Sequence, residues 1–146
     1  MMTTIERTLE LPISRERVWK AITDPQQLTK WFSDHAEVEL RVGGKFNLTW
    51  DEHGKVCGFV ETLEPMDRFV FRWEAMGTRL EDDHELDASN STLVTFTLED
   101  YNGGIRLRVI ETGFATLPVE IRQAAHRENE GGWTSELGEL VEYLSA

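Results

Sequence analysis

Cysteine occurs once, at position 57, so no disulfide can form within the chain. A lone thiol suits a reducing compartment, and a cytoplasmic location is the expectation. Long apolar runs are missing: no stretch approaches the roughly 18 residues of a membrane span. The opening MMTTIERTLE has no apolar core, so neither a signal peptide nor an anchor is expected. Basic residues are scarce, 15 Lys and Arg against 27 Asp and Glu, for a net charge of -12. Such a surface repels phosphate backbones and anionic headgroups, which argues against nucleic-acid and membrane partners. Phosphate loops, dinucleotide fingerprints and nucleophile elbows are absent. The four histidines never fall at a helical i, i+4 spacing. EDDHE, Glu81 to Glu85, holds potential metal ligands, but in an aperiodic acidic stretch that reads as a solvated loop. Cys57 sits among apolar strand residues, where a thiol is usually inert. No metal, cofactor or catalytic residue is therefore assigned.

The 146 residues suit one domain, 1–146. A chain of this size buries roughly 70% of its unfolded surface without needing a staple. TTIERTLEL alternates, with Ile5, Leu9 and Leu11 on one face, and reads as a half-buried strand. Ser14 caps a helix over 15–23. Asp24 caps a second, with Pro25 at its first position and Gln27 at capping-box spacing. From residue 35 the period falls from 3.6 to 2 and six strands follow, separated by turn signals. In KVCGFVETL the inward face is undecided: Val56 and Val60 compete with Cys57, Phe59 and Leu63. Gly58 suggests a bulge or bend there. Residues 76–91 are aperiodic and acidic, and read as the most mobile internal loop.

A long helix closes the chain. Trp133, Leu137, Leu140, Val141 and Leu144 form its apolar face. Short connections make the strands antiparallel. A helix of about 27 residues reaches about 40 Å, enough to cross seven strands spanning about 34 Å.

The order strand, two short helices, six strands, long helix resembles the Bet v1/START-like (SRPBCC) superfamily of helix-grip folds. The stretches VWKAITDPQQLTKWF, RVGGKF, GFVETLEPMDRFVFRW, TLVTFTLED and GGWTSELGELVEYL are similar to the activator of Hsp90 ATPase homologue 1-like family. The resemblance covers residues 4–145. It implies an α+β fold in which a curved antiparallel sheet of about seven strands grips the C-terminal helix, with a hydrophobic cavity between them. It supplies no catalytic motif. The family name is not carried over as a function, because the Hsp90 activator has an extra N-terminal domain.

On that frame the chain reads as a binder of a small apolar or aromatic, lipid-like molecule. The alternatives are a protein-interaction module, including an Hsp90 chaperone accessory with a protein partner, and a cyclase- or hydrolase-like enzyme. The candidate ligand-binding residues are Trp50, Phe71, Trp73, Phe96, Ala125 and Trp133, with Arg7 and Glu111. The aromatics otherwise pack the core. Buried Trp50 and Trp73 need partners for their indole N–H groups, which a ligand or water would supply. Arg7 and Glu111 are charges on apolar strand faces, expected to pair with each other or to orient a ligand's polar end. Gly131 and Gly132 each cost a helix interior about 1 kcal/mol. They either let the sheet approach, let the helix bend away, or relieve crowding around Trp133.

Overall fold

The computed structural model describes residues 4–75 and 85–146. The EDDHE stretch up to His84, and most of the loop expected over 76–91, lie outside them.

Strand β1 (Ile5–Leu11) leads into helices α1 (Arg15–Thr23) and α2 (Pro25–Trp31). Their starts follow the capping chemistry. Ser14 accepts from the Arg17 N–H, and Asp24 accepts from the Gln26 N–H at 2.9 Å. Asp24 ends one helix and caps the next. Gln27 does not complete a capping box: its Oε1 accepts from the Tyr143 hydroxyl at 3.2 Å, tying α2 to the last helix.

Among the described residues, eight strands form and divide into two hydrogen-bonded sheets. The smaller has β2 (His35–Val38), β3 (Phe46–Trp50) and β4 (Gly54–Val56) in sequential order. The larger runs β1-β8-β7-β6-β5, from β5 (Gly58–Glu64), β6 (Arg68–Glu74), β7 (Ser91–Tyr101) and β8 (Gly104–Thr112). Every pairing is antiparallel. The sheets join where Val60 donates to the Gly44 carbonyl and Gly43 donates to the Val60 carbonyl.

The undecided strand is two strands. The chain passes from the small sheet to the large one at Cys57, whose carbonyl accepts from the Glu74 N–H at 2.9 Å, and Gly58 passes so close to its neighbours that an added Cβ would lie 2.5 Å from the Arg72 carbonyl oxygen. A register shift between Val60 and Thr62 then reverses the side-chain phase. Val60 pairs with Phe71 and Leu63 with Phe69. Val56 and Val60 therefore pack on the core before the bulge and Leu63 after it, while Phe59 stands opposite Arg72 and is not part of the core.

A 3-10 turn at Phe114–Thr116 precedes α3 (Val119–Ser145), 27 residues of continuous helix. Its buried stripe is Ala125, Trp133, Leu137, Leu140 and Leu144; Val141 is exposed. The core lies between this stripe, Val18, Ile22 and Leu28 of the short helices, and the inner face of the sheets. Phe46 of the small sheet stacks on Phe71 of the large one with 4.1 Å between centroids. The architecture is the helix-grip arrangement. Among the described residues, no helix is long and apolar enough to cross a membrane.

Candidate functional site

The strand register puts three chemically distinct side chains at one end of the inner face. Trp73 pairs with Thr92, and Val94, two places along β7, pairs with Glu111. Glu111 is completely buried. Its Oε2 accepts from Trp73 Nε1 at 2.9 Å, Thr92 Oγ1 at 2.6 Å and Asn129 Nδ2 at 2.9 Å. Its Oε1 accepts from Trp133 Nε1 at 2.8 Å. Four donors from two strands and one helix thus replace the carboxylate's hydration, which a buried charge requires.

Arg7 takes no part. Its guanidinium donates to the carbonyl of Glu130 at 3.3 Å and to Thr134 Oγ1 at 3.4 Å, on α3. The expected Arg7–Glu111 pair is therefore corrected. Arg7 stands opposite Val109 and Glu111 opposite Ile5, and the indole donors occupy the carboxylate.

Around this hub the rings of Phe32, Trp50, Trp73 and Trp133 meet. Phe32 lies 5.5 Å from Trp50, 5.9 Å from Trp73 and 5.5 Å from Trp133. Trp73 and Trp133 lie 5.9 Å apart. The indole donors are all used internally: Trp50 Nε1 reaches the Phe32 carbonyl at 2.8 Å. The expectation that Trp50 and Trp73 need a ligand or water as hydrogen-bond partner is thus overturned.

These four rings floor a cavity of about 1230 Å³, open to solvent. Its size exceeds the roughly 300–1,000 Å³ of ordinary small-molecule sites. One wall is the hairpin from Trp50 to Val56; another is Trp73–Ala75 at the end of β6. The third is α3, through Glu120, Ile121, Ala124, Ala125, Glu128, Asn129, Gly132, Trp133 and Glu136. Those positions recur every three or four residues, one face of the helix. Gly132 sits on that face, and a Cβ added to Gly131 or Gly132 would meet nothing within 4 Å. The glycines therefore serve neither close approach of the sheet nor relief of crowding. At Gly132 the missing side chain leaves the cavity wall bare.

Trp50, Trp73, Ala125 and Trp133 line the cavity. Phe71 and Phe96 do not. They are 0% and 1% exposed, enclosed by Phe46, Phe69, Trp73 and Trp133, and serve the core. Glu111 lies behind the floor, fastening two of its rings. Phe32, Glu74 and Glu136 are lining residues that the sequence reading does not single out. Phe32 carried the signal of a buried helix face, and the two acids looked like any others in an acidic chain.

The described lining is markedly acidic. Asp34, Asp51 and Glu52 stand on one side, Glu120, Glu128 and Glu136 on the helix, and Glu74 at the end of β6; the basic side chains are Lys55 and His53. Burial, together with the charges of Glu139 and Asp34, pushes the Glu136 carboxyl up to about 7. Glu74 is 8% exposed; its Oε1 accepts from the Cys57 N–H at 2.9 Å, while its buried Oε2 has no hydrogen-bond partner among the described residues. Among the described residues, no group of three or more His, Cys, Asp or Glu side chains is arranged to hold a metal ion.

Solved structures share this architecture. DynU16, from the dynemicin biosynthetic locus, superposes over the whole chain with a TM-score of 0.78 and 22% identity. The chain spans only 48% of DynU16. Protein MLL2253 from Mesorhizobium loti gives 0.78 at 24% identity, covering 97% of this chain and 96% of that one. The Aha1 dimer from Colwellia psychrerythraea gives 0.75 at 18% identity, covering 98% and 96%. At such identities the likeness is one of fold. No curated protein matches the chain. The family model for activator of Hsp90 ATPase homolog 1-like proteins matches residues 12–145, and the chain belongs to that family.

Proposed function

We propose that this protein binds a small apolar or aromatic molecule between its sheet and its C-terminal helix. The observation that carries the reading is the cavity of about 1230 Å³ floored by Phe32, Trp50, Trp73 and Trp133. Apolar and aromatic concavities with a few polar groups are the usual form of small-molecule sites, and this one is larger than most. The bare helix wall at Gly132 supports it, since a helix without an occupant to accommodate gains about 1 kcal/mol from alanine there. DynU16 belongs to a biosynthetic locus, a setting where small molecules are handled.

The test is native mass spectrometry of freshly purified protein, followed by a panel of planar aromatics, fatty acids and sterols. Binding quenches tryptophan fluorescence and raises the melting temperature with ligand concentration. Gly132→Phe places a ring on the cavity wall and abolishes binding. Gly131→Phe, whose position is not part of the lining, leaves it intact. If nothing co-purifies and no compound shifts the melt, the binding reading fails and the interaction-module alternative takes its place.

A further inference from the structure

We infer that the molecule this cavity takes is an organic cation: an aromatic or apolar body bearing an ammonium or amidinium group. This rests on the small-molecule reading above and narrows its chemistry.

Three independent features point the same way. The first is what the lining can offer. Its indole N–H groups are spent on the Phe32 carbonyl and on Glu111, and the Asn129 amide also donates to Glu111. What remains facing the cavity is largely acceptors and ring faces. A ligand that donates hydrogen bonds is complementary; one that only accepts is not. The second is Glu74. A buried carboxylate oxygen without a donor is costly, and protein interiors rarely tolerate one. Glu74 lines the cavity, and a small shift of its side chain brings Oε2 to an N–H of a bound cation, which supplies the missing bond in charge-assisted form. The third is the field. Seven carboxylates against one lysine and one histidine in the described lining make the mouth strongly negative. A low-dielectric floor concentrates that potential. Trp50, the half-buried ring of the floor, then adds cation–π attraction, for which indole is the best ring.

Each feature alone has a weaker reading. Acids at a rim aid solubility, and tryptophans fill cores. Their meeting around a buried carboxylate with one oxygen lacking a donor, beside a helix wall stripped of side chain, is what selects a cation.

Three probes of one shape separate the outcomes: 2-naphthylmethylammonium, 2-naphthylmethanol and 2-naphthoate, titrated by tryptophan quenching at low and at high salt. The expected result is that the ammonium binds at least tenfold more tightly than the alcohol, and that the naphthoate binds most weakly. Salt should weaken the ammonium selectively. Glu74→Gln keeps the acceptor for the Cys57 N–H and should cut the ammonium's advantage over the alcohol at least threefold; an advantage that survives undiminished overturns the role of Glu74 and with it the charge inference. Glu128→Gln, at an exposed lining position with no folding role, should weaken the ammonium two- to threefold. Glu142→Gln, outside the lining, should leave all three alike. An alcohol or naphthoate that binds as tightly as the ammonium overturns the charge inference and leaves the cavity reading standing. An equal loss at Glu142→Gln overturns it too, by reducing the preference to the protein's overall charge. Failure of all three probes at millimolar concentration overturns both readings.

Discussion

Replacing Glu111 by glutamine changes one oxygen to an amide NH2 at constant volume, which makes it a sharp probe of the hub. The glutamine oxygen belongs where Trp73, Thr92 and Asn129 converge, because three donors outweigh one. The new NH2 then faces the Trp133 indole N–H across the present 2.8 Å contact. One charge-assisted bond is lost, worth about 1.5–3 kcal/mol, and a buried donor is left unpaired at about 1–3 kcal/mol. Against this stands relief from burying a charge. Weakening of the three remaining bonds, no longer charge-assisted, largely cancels that relief. The net cost expected is about 2–4 kcal/mol. Urea melts followed by circular dichroism measure it without relying on the tryptophans being perturbed; the midpoint falls and the slope stays constant. The decisive arm is a double-mutant cycle with Trp133→Phe, which removes the opposing N–H. In that background Glu111→Gln should cost at least about 1 kcal/mol less. A single variant within about 0.5 kcal/mol of wild type, or a cost undiminished in the Trp133→Phe background, would refute the account.

Trp133→Ala should cost roughly 3–5 kcal/mol, as for other buried aromatic truncations, and a loss below about 1 kcal/mol in urea melts would show that Trp133 does not seal the core. Gly131→Ala, with open space around the new methyl, should stabilise the protein by up to about 1 kcal/mol in the same melts. Glu136→Gln should stabilise at pH 8 and do nothing below pH 4.5. The folded-state carboxyl titrates at about 7 against 4.5 unfolded, so the folded protein holds the extra proton between those values, and stability falls as pH rises through the window. The full conversion is about 3 kcal/mol; screening at a partly exposed site reduces the expected gain to about 1 kcal/mol. A gain that is the same at pH 4.5 and pH 8 would contradict it.

The secondary structure was legible where one local rule acted alone. Ser14 and Asp24 declare their helices, and alternation declares β1, β6, β7 and β8. It blurred where two rules overlapped, as at the bulge between Val60 and Thr62, which carries both phases in one run of seven residues. Glu111 stands out as a charge on an apolar face, yet the partner expected for it, Arg7, is not among the four it has. The donors come from residues 18 to 38 positions away, and of the two tryptophans among them Trp133 reads as a plain hydrophobe while the N–H of Trp73 points to a ligand or water rather than to a carboxylate. The glycines were flagged by their cost to the helix, but absence of a side chain looks the same whether it admits a neighbour or keeps a space clear. Only the coordinates distinguish these.

The cavity floor and the helix clamp share their parts. Trp73 and Trp133 present rings to the space above and N–H groups to Glu111 below. A change in either ring therefore loosens the grip of sheet on helix. Glu52, Glu120 and Glu128 border the same space from exposed positions without holding anything together. Retuning what this protein recognises is thus inexpensive at the mouth and prohibitive at the base. Laboratory selection for new ligands should accumulate its substitutions around the entrance, with the tryptophans left untouched.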